Sequence, residues 1–257
     1  EKIESYLNQC VANAYREAGY IDEWLRQTEY LLNRLSDDAV SRKIHLRYYQ
    51  TAGYHIYILS GQFQKAINMG YERLHLLQGE EENSYRRFCI NDTYAFLLLR
   101  GYYGLGNQKK VIEILTAAEE NLLEYEKEWR EASETISSKS IENKASKDAM
   151  YRRYISGSYH NLGWNCRRIG KGNLAIRFFR QALEFRPKFG LTNMFMAALM
   201  LGVKNDREAS LKYMRRAVQD RLYALSDAKH MFLDAHEFAP VREDAEFLSL
   251  LNQAIKI

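Results

Sequence analysis

The chain has 257 residues, of which 46% are hydrophobic and 27% are charged, and its formal net charge is +4. This length and apolar content suit one extended domain or two compact ones. The mean hydropathy of −0.49, with no apolar run near the ~20 residues that a membrane helix needs, predicts a soluble protein without a membrane span.

The three cysteines, Cys10, Cys89 and Cys166, are far apart in the sequence. An odd, scattered set favours reduced, buried thiols over disulfides or a zinc site, and with no signal peptide at the start of the chain it predicts a cytoplasmic protein. The only prolines are Pro187 and Pro240. Because proline breaks helix interiors, this scarcity permits a chain built of closely spaced helices.

In chain order, three glycine-led segments predict turns between paired helices. Each has a glycine, a short polar or aromatic stretch and then an apolar helix start: Gly19–Leu25, Gly61–Ile67 and Gly106–Ile112. The next such turn is at Gly170, and the 64 residues between Gly106 and Gly170 contain an insertion at about 124–150. We expect a helix from Lys109 to about Glu134 and then a solvated loop to Asp148, because this stretch is rich in Glu, Lys and Ser.

The clearest unit runs from Ser156 to Lys188. It has small and large apolar residues at helical spacings on either side of the turn at Gly170: Tyr159, Leu162, Gly163, Cys166, Ala175, Phe179, Ala182 and Pro187. We predict that Gly163 and Ala175 let two helices cross closely, and that Tyr159 and Phe179 fill the space beside the contact. Pro187 ends the second helix.

After this unit, Asn205–Ser210 repeats the turn 35 residues beyond Gly170. The segment from Ala235 to Phe247 predicts a loop ending at Pro240 and then a short helix with acidic residues in its first turn. The apolar residues of that helix would cover the last hairpin: Leu248, Leu250, Leu251 and Ile255. We therefore expect hairpins over residues 1–222 and a capping segment over 223–257.

The order and spacing of these residues resemble the tetratricopeptide repeat, nearly completely between Ser156 and Lys188 and more loosely elsewhere. The resemblance implies an all-α chain, a right-handed α-solenoid of about five helical hairpins with a C-terminal capping helix. It also implies a protein-binding or peptide-binding scaffold, such as the sensing part of a larger bacterial signalling regulator, with no enzyme activity and no cofactor.

In that family the first helix of each hairpin lines a concave surface. Projected onto this chain, the resemblance predicts eight partner-binding residues: Asn13, His55, Arg100, Tyr103, His160, Trp164, Arg167 and Arg168. Arginine beside aromatic rings suits a protein or peptide partner with acidic groups and an apolar anchor. Packing between helices is the alternative for Trp164 and Tyr103. Gln9 and Ala52 stand where the family's chaperone-tail clamp has Lys and Asn, which disfavours that ligand.

A second function is nucleic-acid binding, because residues 151–222 carry 15 Lys and Arg against 4 Asp and Glu. The basic residues concerned are Arg152, Arg153, Arg167, Arg168, Lys171, Arg177, Arg180, Arg186 and Lys188. The chain has no phosphate-binding glycine loop or paired CxxC, and the spacing of His230 and His236 is not that of ligands on one helical face. We therefore predict no catalytic residues and no metal site.

Overall fold

A computed structural model of the chain describes residues 23, 26, 54, 57–80, 82–135, 141–219, 232 and 235–255. These residues form helices and turns, with no β-strand among them, so the all-α class is confirmed for this part of the chain. Their contacts divide into two compact units, residues 1–120 and 121–257. The handedness, the number of hairpins and the boundary at 222/223 stay predictions.

The first unit contains helices α1 (Phe63–Gln78), α2 (Ser84–Asp92) and α3 (Leu99–Gly104), with a π-helical segment, Thr93–Leu98, joining α2 to α3. Helix α1 packs against this joining segment and against α3. A Cβ on Gly101 would lie 2.6 Å from Ile67, so the missing side chain allows α3 to approach α1. Helix α4 (Gln108–Thr135) begins in this unit and continues into the second.

The second unit contains α5 (Ile141–Arg168), α6 (Gly172–Phe185), α7 (Gly190–Gly202) and α8 (Arg207–Val218), each packed against the next. A 3-10 helix, His236–Val241, packs on α7, and α9 (Ala245–Ile255) packs on α8. Pro240 therefore lies inside a helical turn where a loop was expected. Leu250 and Leu251 are buried in this end of the core, whereas Leu248 is exposed.

The described turns share one backbone conformation. Gly61, Gly106 and Gly170 have φ between 72° and 76°, the left-handed region that favours glycine, and Asn205 has φ 52°. After each glycine the next N–H donates to the carbonyl five residues earlier, at 2.7 Å, 2.9 Å and 2.8 Å respectively. The predicted turns at these four positions are therefore confirmed, and the repeated sequence pattern corresponds to a repeated chain reversal.

The inserted region differs from the prediction in its second half. Helix α4 ends at Thr135, as expected for a helix ending near Glu134, but α5 already begins at Ile141. A solvated loop is therefore wrong for residues 141–148. The exposed side chains of residues 145–147 explain the polar composition, because a helix with few buried positions is as polar as a loop.

The centre of the second unit is the crossing of α5 and α6. A Cβ on Gly163 would lie 2.7 Å from the ring of Phe179, so α6 approaches α5 only because position 163 has no side chain. Ala175, Tyr159 and Phe179 are fully buried at this crossing, as the sequence predicts. The ring of Phe179 stacks on Phe195 of α7, with centroids 5.5 Å apart and planes 3° apart, which joins three helices.

We predict that Gly163→Val lowers the unfolding free energy by about 1–3 kcal/mol, because its methyl groups must displace the Phe179 ring. Chemical denaturation followed by circular dichroism measures the change. Glu184→Val, at an exposed position of α6, is the control and should cost about 0.5 kcal/mol. Equal losses in the two variants would contradict the close crossing.

Candidate functional site

Helix α5 has one face that its neighbours in the second unit leave largely open. Positions 153, 157, 161, 164 and 168 recur every three or four residues and are exposed or partly exposed, so they follow one side of the helix. The opposite side carries the fully buried Tyr159 and Cys166. This arrangement fixes the helix in the core while Arg153, Trp164 and Arg168 reach the surface.

His160 is the predicted site residue that the structure buries. Its Nδ1 lies 2.8 Å from Oγ1 of Thr192, and it is 7% exposed. Three phenylalanine rings surround it at centroid distances of 5.6, 4.8 and 5.6 Å: Phe179, Phe189 and Phe195. Burial, and secondarily the charge of Arg186, lowers its pKa from 6.5 to about 3. His160 is therefore a neutral core residue that no ligand reaches in this structure.

Arg167 is also occupied within the protein. Its Nε and Nη2 donate to the two carboxylate oxygens of Glu237, each at 2.6 Å, and the side chains are only 14% and 5% exposed. Burial alone would raise the pKa of Glu237, but the hydrogen bonds and charge of Arg167 outweigh it and lower that pKa. The pair ties the 3-10 helix to the end of α5, so Arg167 has a structural role.

Trp164 and Arg168 are predicted residues of α5 that lie against each other. Trp164 is partly exposed and Arg168 is exposed. The guanidinium carbon of Arg168 lies 5.2 Å from the centroid of a Trp164 ring, a cation–π distance. The pair presents a flat aromatic surface and a positive charge at one place.

The other predicted residues belong to the first half of the chain. Arg100 and Tyr103 lie on α3 in the first unit, where Arg100 is half-buried and Tyr103 is 39% exposed. Tyr103 is thus at the surface of its own unit. His55 and Asn13 lie outside the described residues.

Sequence reasoning missed a cleft beside Arg153. A cavity of about 400 Å³ is lined by Ala149, Arg152, Arg153, Phe185 and Arg186. In the sequence, these arginines are recognisable only as part of the basic segment, residues 151–222. Their convergence depends on the chain returning through α6 to bring Phe185 and Arg186 beside the start of α5, and no local spacing indicates it.

One comparison with known proteins agrees with the repeat pattern. The family model of the tetratricopeptide repeat matches residues 156–189, so the repeat predicted there is confirmed. A comparison with curated proteins finds no significant match. Among solved structures, the chain is similar to the TPR2AB-domain:pHSP90 complex of yeast Sti1, with 14% identity over 99% of each chain and a TM-score of 0.35.

Two kinds of feature are absent from the described residues. No helix among them is both long and apolar enough to cross a bilayer. No group of three or more His, Cys, Asp or Glu side chains within the same residues is arranged to hold a metal ion.

We predict that acid weakens the fold through His160. The unfolded state takes up a proton near pH 6.5 whereas the folded state does so only near 3, so the unfolding free energy falls as pH decreases below 6.5. His160→Asn removes this titration and should reduce the loss between pH 7 and pH 5 by about 2 kcal/mol. Urea denaturation at the two pH values measures it.

This pH window lies above 4.5, the ordinary pKa of a glutamate, so the lowered pKa of Glu237 makes little contribution there. Glu237 stabilises the fold at higher pH and loses that contribution as pH falls below 4.5. If His160→Asn lost as much unfolding free energy between pH 7 and pH 5 as the unsubstituted chain, the result would contradict a buried, neutral imidazole.

The Arg167–Glu237 pair gives a separate prediction. Glu237→Gln leaves a mostly buried guanidinium without its counter-charge and should lower the unfolding free energy by about 3 kcal/mol. Glu246→Gln is the matched control, because Glu246 contacts Arg207 and Arg215 in exposed pairs and should cost at most about 1 kcal/mol. Similar midpoint shifts in urea for both variants would contradict the structural role of Arg167.

Proposed function

We propose that this chain is a protein-interaction scaffold, and that the open face of α5 binds a protein segment with acidic side chains and an apolar anchor. The observation that carries the proposal is the Trp164–Arg168 pair. A partly exposed indole beside a guanidinium suits an apolar side chain followed by a carboxylate. The tetratricopeptide repeat over residues 156–189 supports an interaction role rather than catalysis.

The charge of this face favours an acidic partner. Among the described residues, Arg168 has a contact with Trp164 but no carboxylate within ion-pair distance. The surrounding segment, residues 151–222, has 15 basic residues against 4 acidic ones. A surface of one sign raises the association rate of an oppositely charged segment and disfavours basic partners.

The dimensions of the face suit a short extended segment. Arg153 precedes Trp164 by eleven residues on the same side of α5, which at the helical rise is about 16 Å. An extended chain covers that distance with about five residues. A partner with acidic residues at both ends of such a segment and an apolar residue near one end could contact all three side chains.

The first unit offers similar chemistry on α3. Tyr103 is exposed and Arg100 is half-buried three residues earlier. We include these two residues as a second partner-binding surface of that unit, and His55 and Asn13 remain predictions. A cytoplasmic location and a role within a larger signalling regulator also remain part of the proposal.

Nucleic-acid binding is the weaker alternative. Two of the basic residues counted for it, Arg152 and Arg167, are hydrogen-bonded to Asp148 and Glu237 within the chain. Phosphate contacts strengthen as the salt concentration falls, so an absence of RNA and duplex DNA binding at about 50 mM salt would remove this alternative.

The proposal is tested with a random-peptide library displayed on phage, selected on the purified chain. We expect selected peptides to combine Asp or Glu with Leu, Phe or Trp. A synthetic peptide from the selection should bind at least about tenfold more weakly to Trp164→Ala and to Arg168→Glu, the usual loss at a central contact. Fluorescence anisotropy of the labelled peptide measures each affinity.

Arg180→Glu is the matched control, because it makes the same charge change at an exposed position of α6. It should leave the affinity within about twofold, as expected for a charge outside the contact. Equal weakening by Arg180→Glu and Arg168→Glu would indicate a general charge effect and contradict the proposed face. Unchanged binding by Trp164→Ala, with the fold intact by circular dichroism, would also contradict it.

A further inference from the structure

The cleft between the start of α5 and the end of α6 is a separate concavity of the second unit. It has a volume of about 400 Å³ and is lined by Ala149, Arg152, Arg153, Phe185 and Arg186. Small-molecule sites usually have volumes of about 300–1,000 Å³ and combine an apolar surface with a few convergent polar groups. Three guanidinium groups around one phenyl ring have this character.

The cleft carries an excess of positive charge. Arg152 Nε donates to Oδ2 of Asp148 at 2.8 Å, which neutralises one of the three arginines. Among the described residues, Arg153 and Arg186 have no carboxylate within ion-pair distance. Asp148 also accepts from the indole N–H of Trp129 at 2.8 Å, so its position is fixed.

Arg186, one of the two arginines that lack a carboxylate, is held beside an aromatic ring. The guanidinium carbon of Arg186 lies 4.4 Å from the centroid of the Phe189 ring, so the group is stacked and its N–H edge remains available to a ligand. The charge of Arg186 is also the secondary cause of the lowered pKa of the buried His160. An anion at this edge would be attracted without displacing an internal partner.

The floor of the cleft is aromatic and well supported. The Phe185 ring lies edge-on to Trp129 at 5.6 Å and stacks on Tyr159 at 6.2 Å between centroids. Tyr159 is fully buried and its hydroxyl donates to Glu126. Phe185 is therefore a fixed apolar surface on which a flat organic group can lie.

From this geometry we propose that the cleft binds a phosphomonoester, the phosphorylated aromatic side chain of the segment that α5 holds; this step rests on the proposed function. A phosphomonoester carries between one and two negative charges at neutral pH and three strong acceptor oxygens. The phosphoryl group can pair with both arginines that have no carboxylate, Arg153 and Arg186, whereas a ligand with a single carboxylate would leave one of them unpaired. Phe185 provides the surface for the phenyl ring.

The location agrees with the length of the proposed partner segment. Arg153 lines the cleft and also lies on the face of α5 that carries Trp164 and Arg168. A phosphorylated side chain in the cleft and an apolar side chain on Trp164 would be separated by about five extended residues. Phosphorylation of the partner would then strengthen its binding, as in other arginine clusters that recognise phosphorylated motifs.

The probe is phenyl phosphate, followed by the indole N–H signals of the chain labelled with ¹⁵N-tryptophan. We expect the Trp129 signal to move, because Trp129 is hydrogen-bonded to Asp148 and the guanidinium carbon of Arg152 lies 5.0 Å from the centroid of its ring. Benzoate and inorganic phosphate should each bind at least about tenfold more weakly, because benzoate has a single negative charge and one acceptor oxygen fewer, and inorganic phosphate has no ring. Either one binding as tightly as phenyl phosphate would overturn the proposal.

Variants test the residues of the cleft. Arg153→Ala combined with Arg186→Ala should reduce phenyl phosphate affinity at least about tenfold, since two charged hydrogen-bond donors are removed. Arg180→Ala, at an exposed position of α6 outside the cleft, should leave it unchanged. Undiminished binding by the double variant would overturn the assignment, and retention of the Trp129 hydrogen-bonded indole signal verifies that the variant is folded.

The same spectra separate the two proposals. A selected acidic peptide that moves the Trp164 signal, with no response of Trp129 to phenyl phosphate, keeps the peptide face and overturns the phosphoryl site. A phenyl phosphate response at Trp129, with no peptide response at Trp164, keeps the phosphoryl site and overturns the proposed function.

Discussion

The second unit depends on the contact between Gly163 and the ring of Phe179. A Cβ at position 163 would lie 2.7 Å from that ring, so only glycine lets α5 and α6 approach this closely. Phe179 then stacks on Phe195, and both rings contact His160. The apolar interior between α5, α6 and α7 is built around this stack, and it fixes which side of α5 faces outward.

The packing of this interior determines which side chains of α5 bond to internal partners and which stay at the surface. His160 and Arg167 lie near the edge of the α5 face, and each is drawn inward by a partner, Thr192 and Glu237 respectively. Trp164 and Arg168 lie farther round the helix and stay at the surface. Fewer of the residues predicted on α5 are therefore at the surface than the sequence suggests.

The sequence predicted the features that depend on local structure. Turns at Gly61, Gly106 and Gly170 follow from the left-handed backbone that each glycine adopts, which is a property of a few neighbouring residues. The start of α5 was missed because polar composition indicates exposure but does not distinguish an exposed helix from a loop. The residues that cover His160 and pair with Arg167 come from later segments; Glu237 follows Arg167 by 70 residues. Such pairings between distant segments can be identified only from the tertiary structure.

We propose that a partner segment lies along the open face of α5, on Trp164 and Arg168. The most direct measurement is a crystal structure of the chain with a peptide obtained by selection. We expect an extended segment over these two residues, with acidic side chains toward the arginines. A peptide seated on the exposed Ile112 or Leu123 of α4, with Trp164 still uncovered, would contradict it.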